Sequence, residues 1–152
     1  MTGGAGARDV AASVGADVLA GRWGDAVRQA RSDRDTVAAL RGSRDPLTTL
    51  DVPDLLPTAE ELLERVVSLA TTLHQLDAAL APRMVAVVDQ RVAAARAEPP
   101  SEARDRRLAL LEHQRATMRE LDERRATLVK KVEAALLALA RLRYEAKRLR
   151  GR

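Results

Sequence analysis

The chain has 152 residues, with 26 basic and 22 acidic side chains and a net charge of +4. It contains no Phe and no Cys, one Trp (Trp23) and one Tyr (Tyr144). These figures exclude two well-cored domains, a thick aromatic core, disulfides, thiolate catalysis and Cys-based metal sites.

What remains is Ala, Leu, Val, Arg and Glu, the composition of long helices and coiled coils. The only lysines are Lys130, Lys131 and Lys147, so arginine supplies nearly all the positive charge. GC-rich codons account for that preference; phosphate binding by arginine forks is the sharper alternative. No run of ~18 apolar residues occurs, so no membrane span is expected. The start, Met1 to Arg8, lacks the basic-then-apolar order of a signal peptide. Cytoplasmic location is the expectation.

Residues 1–7 are Gly-rich and are expected to be disordered. Short helices are expected over 8–42. From Arg8 to Ala20 the pattern is weak: Val10, Val14 and Val18 recur every fourth residue, while Gly15, Gly21 and Gly24 oppose it. Trp23 to Arg41 is a better candidate. Trp23, Val27, Ala30, Val37 and Leu40 lie near one face, Arg34 interrupts it, and Gly42 is placed to end it. Pro46, Pro53 and Pro57 forbid a continuous helix over 43–57. Leu47, Leu50, Val52, Leu55 and Leu56 are too many apolar residues for a free linker. An extended segment laid onto the neighbouring helices is expected.

At Thr58 to Glu61 the sequence reads as a capping box, with Thr58 as N-cap and Glu61 reaching back. Leu62, Val66, Leu69, Leu73, Leu76 and Leu80 follow at alternating steps of four and three, a heptad seam. Pro82 should kink or split the helix, and Met84, Val88, Val92 and Ala95 continue in a shifted phase. Pro99 and Pro100 end it, and Ser101 suits the N-cap of the next helix. No Gly or Pro then occurs through Leu149. The second seam runs Leu111, Gln114, Met118, Leu121, Arg125, Leu128, Val132, Ala135, Leu139, Leu142, Ala146, Leu149. Polar residues at Gln114 and Arg125 cost stability and can set register. Leu136 and Leu137 widen the apolar face.

Helices over 58–97 and 102–150 would be ~60 Å and ~74 Å long. Their short connection at 99–100 favours antiparallel neighbours. The expected fold is all-α: a long antiparallel helical hairpin (coiled coil) over 58–150, with one or two shorter N-terminal helices. The Leu55–Leu56 segment and the Trp23 helix are placed to cover Leu142 and Leu149. The candidate interaction surface is therefore Leu136, Leu137, Leu142, Leu149 and Trp23.

No catalytic constellation is found. The acids sit at solvent-facing helix positions, often with Arg four residues on, as in Glu61 with Arg65 and Glu120 with Arg124. His74 and His113 have no second His or Cys at ligand spacing. A Ser–His–Asp arrangement would need a pocket that excludes water, which two helices do not supply. Gly3, Gly4 and Gly6 are not followed by the Lys of a phosphate loop, and protein-kinase signatures are absent. No metal, cofactor or small-molecule substrate is expected. The basic tail offers Arg143, Lys147, Arg148, Arg150 and Arg152 as anion contacts. Stabilisation of the helix C-terminus is the plainer reading, because Glu145 interrupts the run and Tyr144 is the lone aromatic there.

Two stretches carry a resemblance: Asp45-Pro46 with Leu56-Pro57-Thr58, Leu62 to Val66, Leu69-Ala70 and Leu73 to Asp77; and Arg107 to Thr117. Over about residues 45–150 the chain resembles the coiled-coil region that follows the kinase domain in some bacterial serine/threonine protein kinases. The resemblance implies a non-catalytic unit that oligomerises or docks on a signalling protein; it implies no catalytic residue here. A protein partner or self-association is expected. Nucleic-acid or anionic-membrane contact through the arginine-rich end is the alternative.

Overall fold

The computed structural model describes residues 14–42 and 53–151. The Gly-rich start, the first part of the weak helical pattern, residues 43–52 of the connector, and Arg152 lie outside the described residues. Five helices and no strand occur among the described residues: α1 (Ala16–Ala20), α2 (Gly24–Gly42), α3 (Leu56–Ala79), α4 (Pro82–Ala97) and α5 (Glu102–Arg150). The chain is all-α. It divides into two compact units, and α3 and α5 contribute to both.

One unit holds the described residues up to His74 together with those from Val129 onward. Its core joins Val18 of α1, Val27, Ala30, Val37 and Leu40 of α2, Ala59, Leu63, Val66, Val67 and Ala70 of α3, and Ala135, Leu139 and Ala146 of α5. Burying a side chain such as Leu63 or Leu139 contributes roughly 1.5–3 kcal/mol. The buried hydrophobic side chains here are all Ala, Val and Leu.

Local chemistry sets each helix boundary. α1 ends at Gly21, whose amide donates to the Val18 carbonyl. The Leu19 carbonyl then accepts from Arg28 Nη1 at 2.9 Å. It also lies against Gly24, where an added Cβ would overlap its oxygen. α3 begins at Leu56, two residues before the expected capping box. The cap is Asp54: its Oδ1 accepts from the Leu56 amide at 3.1 Å, and its Oδ2 pairs with Arg41 at 3.1 Å. Thr58 is inside the helix. Pro57 is tolerated because amides of the first turn have no intrahelical acceptor.

The buried stripes differ from the expected ones by single residues. On α2 the buried position between Ala30 and Val37 is Asp33, 1% exposed, and Arg34 is half-buried beside it. On α3 the buried line is Ala59, Leu63, Val66, Ala70 and Leu73, with Leu62, Leu69 and Leu76 half-buried. Apolar residues stand in adjacent pairs at 62–63, 66–67 and 69–70. Packing selects Leu63 over Leu62 and Ala70 over Leu69, while Val66 and Val67 are both buried.

The other unit is Gln75–Leu128. Pro82 splits the helix: α3 stops at Ala79 and Pro82 opens α4 after an extended Ala81. Glu98 is extended, as a residue before proline must be. Ser101 Oγ then accepts from the Arg104 amide at 3.1 Å, the expected N-cap. Arg104 also reaches back, donating from Nε to the Ala95 carbonyl at 3.0 Å and from Nη2 to the Arg96 carbonyl at 3.2 Å. A cation thus meets the negative end of α4. Ion pairs join Asp77 to Arg125, Asp89 to Arg115, Arg96 to Glu112 and Glu98 to Arg107. One number rises as the other falls, so within this unit the paired segments run in opposite directions. Few side chains are buried: Val88, Val92, Ala95 and Leu128. Met84, expected in the seam, is 49% exposed, and Val85 is half-buried in its place. Gln114 is likewise exposed, and Arg115, paired to Asp89, takes the inward position.

Candidate interaction surface

Of the five residues expected to form an interaction surface, three are consumed inside the first unit. Trp23, Leu136 and Leu142 pack against its core, together with Leu55 and Leu56. Leu142 is half-buried there. Trp23 also holds the Arg22 guanidinium 5.4 Å from its ring centroid. Leu149 is half-buried. Leu137 alone stands free, 72% exposed, because it is adjacent to the stripe of Ala135, Leu139 and Leu142 but on its outer side.

The basic end of α5 is partly committed. Arg143 Nη1 donates to Asp33 Oδ1 at 2.8 Å, and its guanidinium carbon lies 4.9 Å from the Tyr144 ring centroid. Gln29 Nε2 donates to the same carboxylate oxygen at 3.1 Å. Asp33 Oδ2 and Arg143 Nε are buried without a hydrogen-bond partner. Arg148 pairs with Glu145 at 2.7 Å. Lys147 and Arg150 are exposed.

His74 Nε2 lies 3.3 Å from Asp17 Oδ2, and its Nδ1 lies 3.2 Å from where a Cβ on Gly21 would sit. The histidine therefore supports the α1–α2 corner. His113 is exposed. Among the described residues, no group of three or more His, Asp or Glu side chains could hold a metal ion, and no helix is long and apolar enough to cross a membrane.

The exposed apolar surface lies elsewhere. Large exposed hydrophobics among the described residues are Met84, Val87, Leu110, Leu137 and Tyr144. Met84, Val87 and Leu110 belong to the second unit. Met84 and Val87 line a groove of ≈ 200 Å³ with Arg83, Arg91, Gln114 and Met118. Leu110 precedes Gln114 by one helical turn and so shares its face. A second groove of ≈ 450 Å³, lined by Arg91, Ala94, Glu98, Arg107 and Leu111, continues it, since Arg91 borders both. The sequence signal was present in the doubled apolar positions Met84-Val85 and Val87-Val88, which leave one of each pair outside. A further groove of ≈ 280 Å³ runs past Leu80, Val85, Asp89, Arg115, Arg119 and Asp122. Its charges are balanced, and Asp89 is held by Arg115.

No protein-family model, no curated protein and no solved structure matches this chain.

Proposed function

We propose that this chain is a non-catalytic protein–protein interaction module built on antiparallel coiled-coil pairing of its long helices. The observation that carries the reading is the exposure of Met84, Val87 and Leu110 in a unit with few buried side chains, with Met84 and Val87 lining one groove. Two thin helices bury little apolar area by themselves, and a third surface laid against them would complete a core. Methionines at such a surface adapt to partners of differing shape. The resemblance to the region after a bacterial kinase domain adds signalling proteins to the candidate partners. The alternative, anion binding through the basic end, is weakened because Arg143 and Arg148 already hold Asp33 and Glu145.

The test is a photo-crosslinking amino acid placed at Val87 in the full chain inside the native cell, with Glu123, a solvated position, as control. A discrete product from position 87 and none from 123 is expected. Equal labelling at both positions, or none at either, overturns the reading.

A further inference from the structure

We infer that the side of the second unit bearing Met84, Val87 and Arg91 is a docking groove for an acidic amphipathic helix of a partner protein. The inference rests on the interaction reading above and adds the chemistry of the partner. Along α4, Met84, Val87, Arg91 and Ala94 recur at helical spacing and cover ~15 Å. Opposite them on α5 stand Leu111, Gln114 and Met118. This is a trough between two helices, with apolar side chains along both walls, the setting in which the apolar face of a third helix packs.

The charges on the trough select the occupant. Arg83 and Arg91 are both exposed. Neither has an acidic residue three or four positions away on its own helix; the neighbours there are Ala79, Leu80, Ala86, Val87, Val88, Ala94 and Ala95. Neither belongs to an ion pair recorded among the described residues, whereas Arg96, Arg107 and Arg115 each hold an acid across the helix pair. The nearest acid on the trough, Glu98, is bound to Arg107. The trough is therefore apolar with two uncompensated cations on its rim. In a symmetric pair of copies the same patch meets itself, which would gather four such arginines with no acid to answer them. Nucleic acid would meet methionine, valine and leucine where phosphate contacts and stacking aromatics are needed. A helix with leucines on one face and glutamates along both flanks satisfies both features.

The probe is a fluorescent synthetic helix of about 14 residues, leucine on one face and glutamate on the flanks, titrated with the full chain. A second peptide carries lysine for every glutamate. Saturable binding of the glutamate peptide is expected, with the lysine peptide weaker by roughly tenfold. Val87→Glu should abolish binding. Arg83→Glu with Arg91→Glu, both at exposed positions, should invert the preference while circular dichroism stays unchanged. Failure of the glutamate peptide to bind, equal binding of both peptides, or indifference to the paired arginine reversal would overturn the inference. So would a dimer, seen by light scattering, that Val87→Glu dissolves, or a duplex oligonucleotide whose binding the paired reversal removes. In each of these cases the crosslink from position 87 decides separately whether the chain is an interaction module at all.

Discussion

The Asp33 carboxylate accepts from the Arg143 guanidinium at 2.8 Å, joining α2 to α5 across 110 residues of sequence. Asp33 is 1% exposed in an otherwise aliphatic core. Buried pairs of this kind contribute little net stability, because desolvation offsets attraction, but removing one partner strands a charge. Arg143→Leu should therefore lower the unfolding free energy by about 3 kcal/mol in urea titrations. Asp33→Leu combined with Arg143→Leu should recover most of that loss. A double variant as unstable as the single one would show that the pair itself holds the fold.

The start of α3 separates two caps. Asp54→Ala removes both the bond to the Leu56 amide and the pairing with Arg41, and should cost about 1 kcal/mol. Thr58→Ala should change stability by less than about 0.5 kcal/mol. Thermal melts of the two variants check the order; a reversed order would restore Thr58 as the cap.

Gly24 opposes ordinary helix propensity. Replacing a helical glycine by alanine stabilises by up to about 1 kcal/mol when space allows. Here the new Cβ would overlap the Leu19 carbonyl, and backbone cannot move aside as a side-chain tip can. Gly24→Ala should instead destabilise by about 1–3 kcal/mol, read from the urea midpoint at unchanged slope.

Core and surface leucines should part widely. Leu63 is 2% exposed and Leu137 is 72% exposed. Leu63→Ala should cost about 2–5 kcal/mol. Leu137→Ala should fall within about 0.5 kcal/mol of the parent. A large loss at Leu137 measured by concentration-dependent melts would mean that its face is covered in solution.

Hydrogen exchange should rank the two units. Amides near Val27, Leu63 and Leu139 sit in a core drawn from four helices. Those near Val88 and Val92 sit in a helix pair with few buried neighbours. Slower exchange is expected at the first set, because local opening there exposes more apolar area.

Much of this protein is legible in its residue order, and the legible part is local. The break at Pro82, the turn at Pro99 and Pro100, the Ser101 cap and the uninterrupted α5 depend on groups within a few residues of one another. Backbone geometry and first-turn hydrogen bonds act at that range, so neighbours alone determine them. The aliphatic inventory likewise determines an all-helical chain without a thick core. The choices between Asp33 and Arg34, Leu62 and Leu63, Met84 and Val85, and Gln114 and Arg115 were made by tertiary packing. A helical repeat of 3.6 residues leaves two adjacent positions nearly equivalent toward any partner. Only the neighbour's location resolves them: Arg143 takes in Asp33, and Asp89 takes in Arg115. The same packing consumed Trp23, Leu136 and Leu142 and left Met84, Val87 and Leu110 in water. Where the free apolar surface lies is a property of how helices meet, because exposure is a relation between distant segments and not an attribute of any one residue.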